Sequence, residues 1–131
     1  MSAIQRIILV DDNEMDNVYH QIIIKRAGFG GELLTFEAAT DALAYLGRAD
    51  LGVPSLIFLD INMPGMDGFE FAEQATVLLI DKPATTIMML TSSSAERDRI
   101  RASSIAIIKG FLTKPLTETA VNNLLDRHCR G

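Results

Sequence analysis

Five side chains in this 131-residue sequence could together move a phosphoryl group: Asp11, Asp12, Asp60, Thr91 and Lys114. Three carboxylates held close repel one another, and one must keep a proton unless a cation sits among them. Oxygen ligands without histidine or cysteine select a hard ion such as Mg2+, which takes few protein ligands and keeps several waters. Phosphoryl transfer asks mainly for charge neutralisation and a nucleophile in line. Asp60 can attack, a metal can bridge two phosphoryl oxygens, and Lys114 and Thr91 can take the others, giving an aspartyl phosphate. A lone acidic residue after a strand reads as a helix cap, and Asp12 or Asn13 fits that role. Three acids with a lysine and a hydroxyl do not reduce to capping.

The elements that must bring these residues together are legible. Short apolar runs at Ile7 to Val10, Leu33 to Phe36, Leu56 to Leu59, Ile87 to Leu90 and Ile107 to Leu112 are continuous, as in parallel strands covered on both faces. Between them lie helical stripes: Met15, Val18, Tyr19, Ile22 and Ile23 within residues 14–27; Ala39, Ala42, Leu43 and Leu46; Ala72, Ala75, Thr76 and Leu79; and Val121, Leu124, Leu125 and His128. Gly28, Gly30 and Gly31 end the first helix, and Asp67 with Glu70 and Ser93 with Glu96 have capping-box spacing. Between Ala95 and Ser104 only Ile100 is strongly apolar, so the fourth helix is the weakly anchored one. The expected fold is α/β: (βα)5, a five-stranded parallel sheet with helices on both faces and right-handed crossovers. Ligands of such sheets bind beyond the carboxyl ends of the strands, where all five chemical residues fall.

Composition narrows the classes. Hydrophobic residues make up 48% of the chain and charged ones 22%, enough for a buried core. The net charge of −5 argues against direct nucleic-acid binding. The single cysteine, Cys129, excludes an internal disulfide and a cysteine-based metal site, and fits a reducing cytoplasm. Apolar runs are only a few residues long, too short for a membrane span, and the first residues do not form a signal peptide. The expectation is one cytoplasmic domain over residues 1–131 with no output domain after it.

The segments Ile8-Leu9-Val10-Asp11-Asp12-Asn13, Phe58 to Gly68 (FLDINMPGMDG), Leu90-Thr91-Ser92-Ser93 and Phe111-Leu112-Thr113-Lys114-Pro115 resemble the motifs of two-component response-regulator receiver domains, in order and spacing over nearly the whole chain. The resemblance implies a flavodoxin-like receiver fold and a phosphorelay role. Asp60 would accept the phosphoryl group from a sensor histidine kinase or a histidine phosphotransfer protein. Mg2+ would be held by the side chains of Asp12 and Asp60 and the backbone carbonyl of Asn62, with Asp11 acting through water. Lys114 would pair with a phosphoryl oxygen, and its bond to Pro115 would be cis. Thr91 and Phe111 match the switch pair, with Ser92 giving backbone access to phosphate; Asn62 and Ser93 match positions that tune dephosphorylation. The protein would be no enzyme beyond its own phosphorylation and dephosphorylation.

The resemblance also implies surfaces. Ile24 falls opposite the Met15, Val18, Ile22 stripe, beside Asn17, His20 and Gln21, and is the expected docking point for a kinase's helical element. His20 is expected to face solvent, His128 to favour the last helix's C-terminus, and Cys129 to be a small packing residue or an exposed terminal thiol. Arg97, Arg99 and Arg101 lie on the fourth helix, which with the fifth strand and fifth helix is where such domains signal or dimerise; a monomer and a homodimer are both compatible. Two rivals fare worse. A haloacid-dehalogenase-like phosphohydrolase places a general acid two residues after the nucleophile, where Asn62 cannot serve. A flavin or nucleotide binder wants a phosphate loop where Asp11 and Asp12 stand, and Gly28-Phe29-Gly30-Gly31 has the wrong placement for a dinucleotide fingerprint.

Overall fold

The computed structural model describes residues 4–48, 53–61, 63, 65–80, 85–91 and 96–130, with the side chains of 96–99 and 127–130 left aside. Strands and helices alternate: β1 (Arg6–Val10), α1 (Glu14–Arg26), β2 (Glu32–Phe36), α2 (Ala39–Arg48), β3 (Ser55–Asp60), α3 (Gly68–Leu78), β4 (Thr85–Thr91), α4 (Glu96–Ser103), β5 (Ile108–Thr113) and α5 (Glu118–Arg130). The sheet is parallel throughout, in the order β2-β1-β3-β4-β5. Strand ends differ from the expected runs by one or two residues, the usual ambiguity of element boundaries.

Alternate side chains of each strand serve opposite layers. Ile8, Val10, Ile57, Leu59, Ile87 and Met89 pack with α2, α3 and Ala102 of α4. Ile7, Leu9, Leu56, Phe58, Met88 and Leu90 pack with α1 and α5. This two-sided demand is why the strands are apolar without alternation. The expected stripes of α2 and α5 are buried as far as Leu46 and Leu124, and α3 buries Ala72, Ala75 and Leu79. Its N-terminus carries the expected capping box: Glu70 N–H donates to Asp67 Oδ1 at 2.9 Å, and Asp67 N–H to Glu70 Oε1. The Ser93 and Glu96 pair lies outside the described residues.

Helix α1 is turned the other way from the sequence expectation. Ile24 is 0% exposed and His20 2%, with Asn17 and Ile23 also buried, whereas Met15 is 76% exposed, Ile22 49%, and Val18 and Tyr19 are open to solvent. Both faces have helical spacing, so periodicity alone could not choose. Side-chain bonds at the helix start settle its rotation: Asn17 Nδ2 donates to the Asp11 carbonyl at 3.0 Å, and Asn13 Oδ1 accepts from Asp16 N–H. With Asn17 pointing inward, His20 and Ile24, three and seven residues on, must follow. The helix ends as expected at Gly28, whose φ of 96° is left-handed and favours glycine.

In the described part of α4, Ile100 faces solvent, Ala102 is buried, and the Arg101 guanidinium lies 4.5 Å from the centre of the Phe69 ring.

Candidate functional site

Sheet register brings the chemical residues to one edge. Val10 pairs with Leu59, Asp60 with Leu90, and Thr91 with Thr113, so the residues following β1, β3, β4 and β5 meet at the carboxyl end of the sheet. Carboxylate oxygens of Asp11, Asp12 and Asp60 all lie within 4.8 Å of one another; Asp11 and Asp60 are buried and Asp12 is exposed. The donor set is all hard oxygen, so it fits a small dication and not a soft metal.

Lys114 stands over this trio. Its backbone N–H bonds the Thr91 carbonyl at 2.8 Å, which fixes where the side chain starts. Its ammonium reaches Asp11 Oδ2 at 2.6 Å, Asp16 Oδ2 at 3.0 Å and Asp60 Oδ1 at 3.3 Å. Burial works against the charged amine, but hydrogen bonds to Asp11 and Asp16 and the charges of Asp60 and Asp11 outweigh it. They hold the Lys114 pKa well above the ordinary lysine value, so the group is a permanent cation at the site. The Lys114–Pro115 bond is cis, as the resemblance implied. Asp11 is itself oriented, its other oxygen accepting from Asn13 N–H at 2.9 Å.

Thr91 is buried at the end of β4, and Phe111 is partly buried on β5 against the α2–α3–α4 layer. Met89 pairs with Phe111 and Thr91 with Thr113, so Thr91 and Phe111 lie on the same face of neighbouring strands, offset by two residues. Behind Asp60 the chain is tightly folded. Gly68 N–H bonds the Ile61 carbonyl at 2.8 Å, and a Cβ at Gly68 would stand 2.6 Å from the Asp60 carbonyl oxygen. Only glycine lets α3 begin so close to the backbone of Asp60. Asn62, Ser92, Ser93 and the side chains of Arg97, Arg99, His128 and Cys129 lie outside the described residues.

Asp16 is the site residue that the sequence reading missed. An acid in the first helical turn reads as a complement to the helix dipole. Its spacing of four residues from Asp12, at the start of the helix that leaves the site, was the available signal.

His20 was expected in solvent and is instead buried one turn beyond Asp16. Burial pushes its pKa down; the Asp16 charge partly opposes this, Lys114 adds to it, and Asp11 opposes it. The folded state therefore resists a proton that the unfolded chain accepts near its ordinary pKa of about 6.5. Stability from this group is present above that pH and is lost as pH falls below it toward the folded value. Between pH 7.5 and 5.5 the wild-type Tm should fall further than that of His20→Gln; parallel Tm curves would contradict the placement.

The fold and site define a class: a parallel α/β domain with an acidic, cation-competent cluster, a fixed lysine and a buried threonine at the carboxyl edge of its sheet. The chain belongs to the response regulator receiver domain family, whose pattern it matches over residues 7–126. It is similar to a two-component response regulator, ORR1, of Oryza sativa subsp. japonica, with 29% identity over 97% of this chain and 55% of that protein. It also resembles the alkaline phosphatase synthesis transcriptional regulatory protein PhoP of Bacillus subtilis, with 30% identity over 90% of this chain and 45% of that protein. The chain thus spans about half the length of these curated relatives. Among solved structures, a response regulator receiver protein from Dyadobacter fermentans superposes with a TM-score of 0.84 at 27% identity, covering 95% of this chain and 97% of that one. Among the described residues, no helix is long and apolar enough to cross a membrane.

Proposed function

We propose that this receiver domain is a phosphoacceptor whose nucleophile is Asp60. The observation that carries the reading is the convergence of three carboxylates within 4.8 Å beneath a lysine that stays charged. An Asp60 carboxylate oxygen attacks the phosphorus of a phosphohistidine on a sensor kinase or phosphotransfer protein. The P–N bond breaks, and the imidazole nitrogen leaves with the electron pair. Asp12 and Asp60, with the Asn62 carbonyl and Asp11 through water, would hold Mg2+, which supplies charge neutralisation to the transferring group. The Lys114 ammonium, whose Nζ lies 3.3 Å from Asp60 Oδ1, turns an N–H to a phosphoryl oxygen. The Thr91 hydroxyl takes another and Ser92 N–H a third. Phe111, on the same face as Thr91, fills the space that the threonine side chain leaves, and this repacking alters the surface of α4, β5 and α5, where Arg101 and Ile100 lie.

The domain performs one transfer per site and is no phosphatase of free esters, because Asn62 cannot act as the general acid. With Mg2+ and a small phosphodonor, labelling should stop near one phosphoryl group per chain. Sustained hydrolysis of phosphate esters far beyond one event per site would favour the hydrolase instead.

The donor's approach runs along the exposed face of α1. That helix leaves directly from Asp12 and Asn13, and Met15, Val18, Tyr19 and Ile22 form an exposed apolar stripe beginning at the site's rim. This stripe replaces Ile24 as the docking surface for a helical phosphotransfer element. Ile22→Asp should slow phosphotransfer from a cognate phosphohistidine by roughly tenfold while labelling by a small phosphodonor stays at the wild-type rate. Phosphotransfer profiling against the host's histidine kinases identifies that donor, and an unchanged transfer rate in the variant would remove α1 from the interface.

A further inference from the structure

We propose that Asp16 is a positioning residue for Lys114, holding the ammonium so that one N–H stays directed at Asp60 while the phosphoryl group arrives. This rests on the phosphoacceptor reading of Asp60. A lysine ammonium has three N–H donors, and here three carboxylates surround it: Asp11 at 2.6 Å, Asp16 at 3.0 Å and Asp60 at 3.3 Å. Two of the three, Asp11 and Asp60, belong to the cation-competent trio; Asp16 does not. A dication among the trio draws on the charge of Asp11 and Asp60 and loosens their hold on the lysine. Asp16 is then the carboxylate whose charge Lys114 does not share with the metal.

Both ends of this contact are fixed by backbone. Asp16 sits in the first turn of α1, its N–H donating to Asn13 Oδ1 at 3.2 Å, and Asn17 sets the rotation of that turn through the Asp11 carbonyl. Lys114 is fixed by its own N–H on the Thr91 carbonyl. Only the flexible stem of the lysine lies between, and Asp16 joins Asp11 in removing that freedom at its tip.

Two physical effects give opposite signs. If Asp16 acts merely as negative charge at the mouth of the site, removing it speeds capture of an anionic donor. If it positions Lys114, removing it weakens the hold on the phosphoryl group, and a neutral hydrogen-bond acceptor restores much of that hold. The side chain of Asp16 is partly exposed, which moderates the effect.

The test measures affinity for beryllofluoride, as the phosphoryl analogue, in the presence of Mg2+ on the full chain by calorimetry. Asp16→Ala should weaken it by roughly fivefold, and Asp16→Asn should recover most of the loss. The pair Asp16→Ala and Lys114→Ala together should match Lys114→Ala alone, because Asp16 acts through the lysine. Equal or tighter binding by Asp16→Ala overturns the proposal, as does a further loss when Asp16→Ala is added to Lys114→Ala. Wild-type protein that binds no beryllofluoride overturns the phosphoacceptor reading itself, and the role of Asp16 with it.

Discussion

Asp60→Asn should abolish Mg2+-dependent phosphorylation, with labelling by a small phosphodonor down by more than ~100-fold. The amide keeps the shape of the side chain but is no nucleophile for phosphorus. It also removes one of the three charges that crowd this edge, so the fold has no reason to suffer. Asp60 is buried with Lys114 3.3 Å away, and that lysine keeps Asp11 and Asp16 as partners after the substitution. A Tm at or above the wild-type value is expected beside the lost labelling. Phosphate incorporation followed by intact-mass measurement reads both the stoichiometry and the loss. Full labelling of the variant would place the nucleophile elsewhere and remove the basis of the proposed function.

The second large effect concerns folding. Ile24→Asp should destabilise the domain by about 4 kcal/mol or more, because it removes a fully buried aliphatic side chain and puts a carboxylate in its place. For a domain with a typical stability of ~5–15 kcal/mol, that is a drop in Tm of about 15 °C. Ile22→Asp, two positions away on the exposed face, should cost less than ~0.5 kcal/mol. Thermal unfolding of the two variants side by side reports which face of α1 meets the sheet. Reversal of the pattern, with Ile22→Asp unfolded and Ile24→Asp intact, would restore the orientation expected from sequence.

That orientation failed for a specific reason, and the rest of the fold succeeded for one too. Helix α2 carries a single apolar stripe, Ala39, Ala42, Leu43 and Leu46, so spacing determined which face is buried. Helix α1 carries apolar residues on both sides, and its core face includes Asn17 and His20, which no hydropathy rule would place inside. The deciding bond, from the Asn17 amide to the Asp11 carbonyl, depends on the turn between β1 and α1 and not on periodicity. At the site, Asp11, Asp12, Asp60, Thr91 and Lys114 were legible because each ends or closely follows a strand and parallel strands align their ends. Asp16 was not, because it meets Lys114 across 98 positions of sequence, from inside a helix. Burial of His20 was hidden for the same reason as that of Ile24.

The strand order has a mechanical consequence. β3, which ends in Asp60, is buried along its whole length and hydrogen-bonded on both sides, to β1 and to β4. β5, which delivers Lys114 and carries Phe111, is a margin of the sheet: it has one neighbour, β4, and its ladder is interrupted by a bulge opposite Ile87 and Met88. Asp60, the proposed attacking group, is therefore bolted to a strand paired on both sides, while Lys114 and Phe111, proposed to register its new charge, ride on or follow a strand paired on one side. A shift of a few tenths of an ångström at Asp60 would strain the frame on both sides, whereas the same shift at Phe111 strains one ladder, whose register already slips just before it. Under the proposed function, chemistry and compliance fall to different strands of one sheet, and an acyl phosphate on Asp60 would span the joint between them.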